Sequence, residues 1–300
     1  MPPTAIADAP TAPIPDPERS DTGDSADGRM VSEAEYWRDW YHVSDITYEW
    51  NNGRLEEKPV SEFETLLVYK WLLLLLEHFL AERPIAASLP LEMGFRLALP
   101  TGTVIRRPDL AVVRHDNPTP ISGRDCSYRG VYDLCIEVLS DTKPSHMARD
   151  TVNKKAEYAA GGVNEYWIIH RSRERQAFYR RTADGRHLPI QPSDGVIESV
   201  VLPGFRFRLD DLERQPSWIA LRDDPVYADF VLPQWTRDRQ TAAAGAARAL
   251  AAETRAAEAE ARAADAEARA NAEAAARRAL EKRLARLEAA RSADDGPRDD

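Results

Sequence analysis

Over residues 31–235, short runs of alternating apolar residues interleave with longer blocks at helical spacing; the flanking segments carry neither pattern. Ser32 and Glu35 stand at capping-box spacing, and Tyr36, Trp37, Trp40 and Tyr41 give the helix they open an aromatic face. In "ITYEWNNGRLEEKPV" (46–60), Asn52-Gly53 separates two short runs, which predicts a hairpin with a type I′ turn. Ser61 and Glu64 repeat the capping-box spacing and open a helix to Ala81, rich enough in Leu, Val and Trp for burial on much of its circumference. Strands are predicted over 92–98, 103–114 and 132–139, then a helix from Ser145 to Ala160 stopped by Gly161-Gly162. "VNEYWIIH" (163–170) reads as a buried strand and "RQAFYRR" (175–181) as its hairpin partner, with two short strands in 194–212 separated by Pro203-Gly204. This order predicts one α/β domain over 31–235, a mixed sheet with helices against it.

Residues 1–30 are rich in Pro, Asp, Ala and Ser, bury too little to offset ordering entropy, and are expected to be a disordered tail. Residues 241–292 are mostly Ala, Glu and Arg and predict a long helix. Arg248, Arg255, Arg262 and Arg269 recur every seven residues, as do Glu253, Glu260 and Glu267. The period suits a coiled coil, with an alanine seam until Leu280, Leu284 and Leu287. Oligomerisation through this helix, as a dimer, is the expectation, against a lone solvated helix as the alternative. Residues 293–300 are expected to be an acidic disordered tail.

Charge and composition narrow the function classes. The net charge is −10, and residues 31–240 hold 32 acids and 27 bases. That balance counts against a general nucleic-acid binder but allows a local basic groove. The densest basic cluster is "HRSRERQAFYRR", with Arg171, Arg173, Arg175, Arg180 and Arg181, either a nucleic-acid surface or a solvated hairpin. "WLLLLLEHFL" (71–80) is too short to span a membrane, no signal-peptide pattern opens the chain, and the two cysteines, Cys126 and Cys135, suit a reducing compartment. The expectation is a cytoplasmic protein.

Two acids interrupt otherwise apolar strands: Asp109 in "VIRRPDLAVVRHD" (104–116) and Glu137 in "YDLCIEVLSD" (132–141). An inward carboxylate is costly without partners. Each taken alone reads as a hydrogen-bond anchor; both together, on successive strands, fit a divalent cation equally well.

The segments "RPDLAVV", "DLCIEVLS" and "RDTVNKKAEYAAGGVNEYWIIH" together resemble the Uma2 family of endonucleases, within the PD-(D/E)XK restriction-endonuclease-like superfamily. "YEWNNGRLEE" resembles the family's opening hairpin and "VVLPGFRFRLDDL" its closing strands, so the resemblance covers about residues 31–213. It implies a restriction-endonuclease-like mixed sheet flanked by helices. It implies that Asp109 and Glu137 ligate Mg²⁺, with Mn²⁺ as a substitute, and that the protein hydrolyses DNA phosphodiester bonds. The superfamily's usual lysine, two residues after the second acid, is here Leu139. Lys154, with Lys155 as fallback, takes its place on the following helix, where desolvation near a cation would lower its pKa; on its own, such a lysine pair reads as solvated charge. Glu57, at the end of the hairpin, is a further candidate ligand or water-orienting acid. The competing function is a catalytically silent nucleic-acid- or protein-binding scaffold that oligomerises through its C-terminal helix.

Overall fold

Asn52 and Gly53 both have positive φ, 49° and 95°, in the computed structural model of the chain, which describes residues 25–140 and 143–294. The turn joins β1 (Tyr48–Asn51) and β2 (Arg54–Glu57) into the expected hairpin. Residues 25–30 run along it: Gly28 N donates to Leu55 O at 2.8 Å, and Leu55 N to Arg29 O at 2.9 Å. Ser32 caps the short helix α1 (Glu33–Glu35), its Oγ accepting from Glu35 N at 3.2 Å, and the chain continues as a π-helical turn, Tyr36–Trp40. The long helix α2 (Phe63–Glu82) starts one residue later than expected. Glu62 is still extended, with φ −68° and ψ 150°. Glu64 therefore falls at the second helical position, and the Ser61–Glu64 box does not close.

The expected strand over 103–114 is two strands. β3 (Ala86–Pro90), β4 (Phe95–Leu99), β5 (Gly102–Arg106) and β6 (Leu110–Arg114) follow α2, and the break between the last two is Arg107-Pro108-Asp109. Pro108 has no N–H to give a ladder, so pairing stops there. β5 belongs to a four-stranded antiparallel sheet of order β2-β1-β5-β4, while β6 enters a larger one. β3 was not anticipated, and β4 begins at Phe95 rather than residue 92 because Leu91 and Glu92 have φ of 69° and 58°, outside strand geometry.

The larger sheet is completed by β7 (Leu134–Val138), β8 (Glu165–Ile169), β9 (Ala177–Arg181) and β10 (His187–Pro189), in the order β10-β9-β8-β7-β6-β3. Only β7 and β8 pair in parallel within it. Their crossover is helical: α3 (Pro144–Ala148), a π-helical turn (Arg149–Lys154) and α4 (Lys155–Gly161), with Gly162 in the left-handed cap at φ 97°. β11 (Val196–Glu198) pairs with β12 (Arg206–Arg208), followed by α5 (Leu209–Arg214) and α6 (Trp218–Leu221). This is the mixed α/β architecture that the sequence pattern predicts.

Period-two alternation sorts the sheet's two faces. Leu110, Val112, Leu134, Ile136 and Trp167 pack with Leu72, Leu75 and Phe79 of α2. Ala111, Val113, Cys135, Tyr166 and Ile168 face the other way, against Phe95, Leu97, Tyr132 and Tyr158. A sheet covered on both sides explains strands that read as nearly continuous apolar runs. Asp109 and Glu137 fall in the second alternation set, on the side of Cys135 and Tyr158.

The chain divides into two compact units, residues 1–232 and 233–300. The second contains α7 (Pro233–Asp294), a single helix of 62 residues. Along it Arg262 pairs with Glu258 at 3.1 Å and Arg277 with Glu281 at 3.2 Å, each four residues apart. Leu280, Leu284 and Leu287 are exposed.

His187 supplies a pH test of the fold. It is buried, its Nε2 lies 2.9 Å from Val163 O, and burial lowers its imidazole pKa from 6.5. The unfolded chain then binds a proton the folded chain resists, so this contribution is full above pH 6.5 and is lost as the pH falls below it. His187→Gln should flatten that fall, read as urea midpoints for both proteins at about pH 7.5 and about pH 5.5.

Candidate active site

Leu110 pairs with Ile136 across β6 and β7. One step further along this antiparallel register, Asp109 stands opposite Glu137. Asp109 Oδ2 accepts from Val138 N at 2.6 Å, and its Oδ1 from Lys58 Nζ at 2.8 Å. Glu137 Oε1 accepts from the Tyr158 hydroxyl at 2.8 Å, and its Oε2 lies 3.0 Å from Lys154 Nζ. The two strand acids stand at facing positions of the ladder, and the lysine expected from the helix pairs with the second of them. Leu139 packs in the apolar core beside Tyr158, so the ammonium reaches Glu137 from the crossover instead of from two residues along its own strand.

The π-helical turn sets Lys154. Lys154 is its last residue and Asp150 its second, with Asp150 Oδ1 3.1 Å from Lys154 Nζ. The Asp150 carbonyl accepts from the Tyr166 hydroxyl at 2.9 Å, which fixes the turn to β8. Lys155 is directed elsewhere, its Nζ 4.3 Å from the centre of the Tyr179 ring. Between the two neighbouring lysines, Lys154 is therefore the one brought to the acids.

A third acid touches Lys154 that sequence reading missed. Glu49 Oε1 lies 3.2 Å from Lys154 Nζ and accepts from Arg107 N at 2.8 Å. Its Oε2 is 3.1 Å from Arg106, whose buried guanidinium also binds Glu56 and, at 2.6 Å, Glu157. Between Tyr48 and Trp50, Glu49 looks like the solvent-facing member of an alternating strand. Only the pairing of Trp50 with Ile105, which puts Glu49 beside Arg106, exposes the difference. Asp150 and Lys58 were likewise missed, each being an ordinary charged residue in its local stretch.

Charge in this cluster is unevenly held. Burial works to raise Glu49, but Lys154 and then Arg106 overcome it and keep the carboxyl below its ordinary range. Glu137 goes the other way: burial dominates, Lys154 and Lys58 pull it back only in part, Asp109 opposes them, and its pKa is pushed up to about 8. Lys154 neighbours both acids; the difference is that Glu49 has Arg106 as a second cation in contact. Burial works to lower Lys154 itself, as the sequence suggested, but Asp150, Glu137 and Glu49 outweigh it and the pKa rises. Lys154 is thus a permanent ammonium donor rather than a base.

A cavity of about 760 Å³ opens on Asp109, Lys58, Tyr69, Glu92, Arg107 and Glu57. Glu57 faces the same space as Asp109, but its carboxylate bonds Ser25 Oγ, and its carbonyl accepts from Arg149 at 2.8 Å. Among the described residues no three His, Cys, Asp or Glu side chains form a ready-made cation cage. A site for Mg²⁺ needs less: one or two carboxylates, with waters and substrate phosphate completing the shell. Asp109 and Glu137 are such a pair, and a cation already sits against Asp109 in the form of the Lys58 ammonium, so the donor set fits. The arginine-rich hairpin is less available for nucleic acid than its sequence suggests. Arg171 pairs with Glu62 and Glu64, Arg173 with Asp210, and Arg180 with Glu165.

Two stability measurements check this charge distribution. Lys154→Met strands three carboxylates, and should cost about 3–5 kcal/mol in denaturant unfolding, as loss of one partner of a buried ion pair does. Glu137 has a folded pKa above its ordinary 4.5, so its contribution is present below 4.5 and is lost as pH rises through about 8. Glu137→Gln in chelator should therefore gain on the native protein between about pH 5 and about pH 8; parallel pH profiles would contradict the raised pKa.

Comparison with known proteins agrees with the family resemblance. No curated protein matches the chain. Among solved structures, it is similar to a crystal structure described as "a putative nuclease belonging to DUF820 from Anabaena variabilis ATCC 29413", at 14% identity over 57% of this chain and 92% of that one, with a TM-score of 0.46. The family model Uma2, described as "Putative restriction endonuclease", matches residues 34–212, more than half of the sequence. The chain belongs to the Uma2 family.

Proposed function

We propose that the protein is a Mg²⁺-dependent endonuclease that hydrolyses DNA phosphodiester bonds, with Asp109, Glu137 and Lys154 as its catalytic groups. The observation that supports this reading is the facing register of Asp109, just before β6, and Glu137 in β7, with Lys154 Nζ 3.0 Å from Glu137. Asp109 and Glu137 would hold the metal, with Mn²⁺ as a substitute. Bound there, Mg²⁺ lowers the pKa of a water and offsets charge developing on the phosphate. Burial pushes the Glu137 carboxyl up to about 8, so it would have to lose a proton to serve as a metal ligand at neutral pH. Lys154 keeps its proton; its three N–H groups are held by Glu49, Glu137 and Asp150, and if Glu137 turned to the metal the N–H it occupies would be free to orient the attacking water or the phosphate. Asp150 and Glu49 hold that ammonium in place and charged. Glu57, which lines the same cavity, would orient a water there. Arg107 lines the cavity as a cation a phosphate would meet.

A scaffold would not require a buried ammonium pinned by three carboxylates beside an accessible aspartate. The long α7 fits a second role, joining copies of the chain into a dimer, with exposed Leu280, Leu284 and Leu287 on the seam. Two copies would bring two sites to a duplex.

The activity test is a panel of supercoiled, linear, single-stranded and branched DNA with Mg²⁺, Mn²⁺ or chelator. Cleavage by the native protein should need metal, and Asp109→Asn and Glu137→Gln should each lower it by about 100-fold or more. Identical behaviour of native protein and Asp109→Asn on every substrate would refute the enzyme reading. For the tail, sedimentation of the full chain should show a dimer and a chain ending at Arg239 a monomer; equal monomers would refute the seam.

A further inference from the structure

Lys58 follows two acids at the end of the hairpin and reads in sequence as exposed, yet its side chain is 5% exposed. The ammonium lies 2.5 Å from Arg107 O, 2.8 Å from Asp109 Oδ1 and 3.2 Å from Glu92 Oε1. Lysine normally buries its stem and leaves its head in water. Here the head is turned inward among protein oxygens, two of them anionic. Glu92 reaches it from a backbone that is itself unusual, since Leu91 and Glu92 are consecutive non-glycine residues at positive φ. Such geometry is strained for residues with a Cβ and persists only where the surroundings enforce it. Part of that enforcement is visible: Glu92 O accepts from Arg107 Nε at 3.1 Å.

We propose that Asp109 Oδ1, Glu92 Oε1 and the Arg107 carbonyl form a cation seat that the Lys58 ammonium fills in the metal-free chain, and that a divalent cation displaces Lys58 from it. The inference rests on the metal-dependent reading above and adds two ligands and a competitor to it. The donors are hard oxygens, the kind that Mg²⁺ and Mn²⁺ take. Glu137 is second only to Asp109 among the carboxylates acting on this ammonium, so a doubly charged ion in the seat would act on both strand acids. The seat borders the cavity, which gives the cation a path in and the lysine head a space to move into. There the displaced ammonium faces the position a substrate phosphate would take. Until metal arrives, the lysine neutralises Asp109, and metal affinity is lowered by the work of moving it.

The chain has six lysines, at 58, 70, 143, 154, 155 and 282, few enough to resolve by ¹³Cε-lysine NMR on the full-length native protein. Titration with Mg²⁺ should shift the Lys58 resonance strongly and Lys70, Lys143 and Lys282 hardly at all. By calorimetry with Mn²⁺, Lys58→Met should bind about tenfold tighter or more than the native chain, and adding Glu92→Gln should reverse most of that gain. If metal binds, is abolished by Asp109→Asn, and leaves the Lys58 resonance unmoved, the seat is refuted while the metal-dependent reading stands. If Asp109→Asn leaves Mn²⁺ binding unchanged, both fall. Should Lys58→Met fail to fold, the native-chain NMR titration decides alone.

Discussion

One buried ammonium holds the centre of this molecule. Lys154 Nζ touches Glu49 from the hairpin, Glu137 from the middle of the large sheet and Asp150 from the crossover. None of the three acids could be buried alone, because an unpaired carboxylate in an apolar interior costs several kcal/mol. Nor could the lysine, which only the three together keep charged. Each segment can therefore pack only if the others are in place. Arg106 extends the same constraint outward, tying Glu49, Glu56 and Glu157 through one guanidinium. The interaction is a specification of geometry as much as a source of stability, since a hydrophobic substitute of equal volume would fill the space without fixing the register.

That constraint shapes the chemistry on offer. Glu137 and Lys154 are sealed, whereas Asp109 is reachable and lines the cavity together with its partner Lys58. Much of the positive charge that the sequence displays on the arginine-rich hairpin is spent on neighbouring acids. With the body of the chain acidic overall, attraction for a phosphate would concentrate where Arg107 and Lys58 face the cavity. A nuclease of this kind would take little from long-range electrostatic capture and more from local fit.

The sequence was most informative where local chemistry is decisive. Asn52-Gly53 announced its turn because few residues tolerate two successive positive φ values, and Ser32 announced its cap because a hydroxyl three residues before an amide has one obvious use. Asp109 and Glu137 stood out because acids interrupt apolar strands. Glu49, Lys58 and Asp150 did not, because each sits in a stretch where a charged residue is unremarkable; what buries them is a second sheet and a crossover helix arriving from elsewhere in the chain. The division of 103–114 into strands of different sheets was hidden for a similar reason: Pro108 signals an interruption, but not that the chain changes sheets there. β3 escaped because "AASLP" has no alternation, its pairing with β6 being set from the partner strand.

The π-helical turn has a consequence for comparing members of the family. A turn of this kind accommodates a residue beyond the regular α-helical count. A relative whose crossover is plain α-helix, aligned to this one without a gap, would have every later position rotated by about 100° around the axis. Lys154 would then be matched to a residue facing solvent or the core, and the true counterpart would appear one column away. Counting columns in such an alignment would report this lysine as lost in proteins that retain it; in this chain the turn is marked by the Tyr166 hydroxyl, which donates to the Asp150 carbonyl.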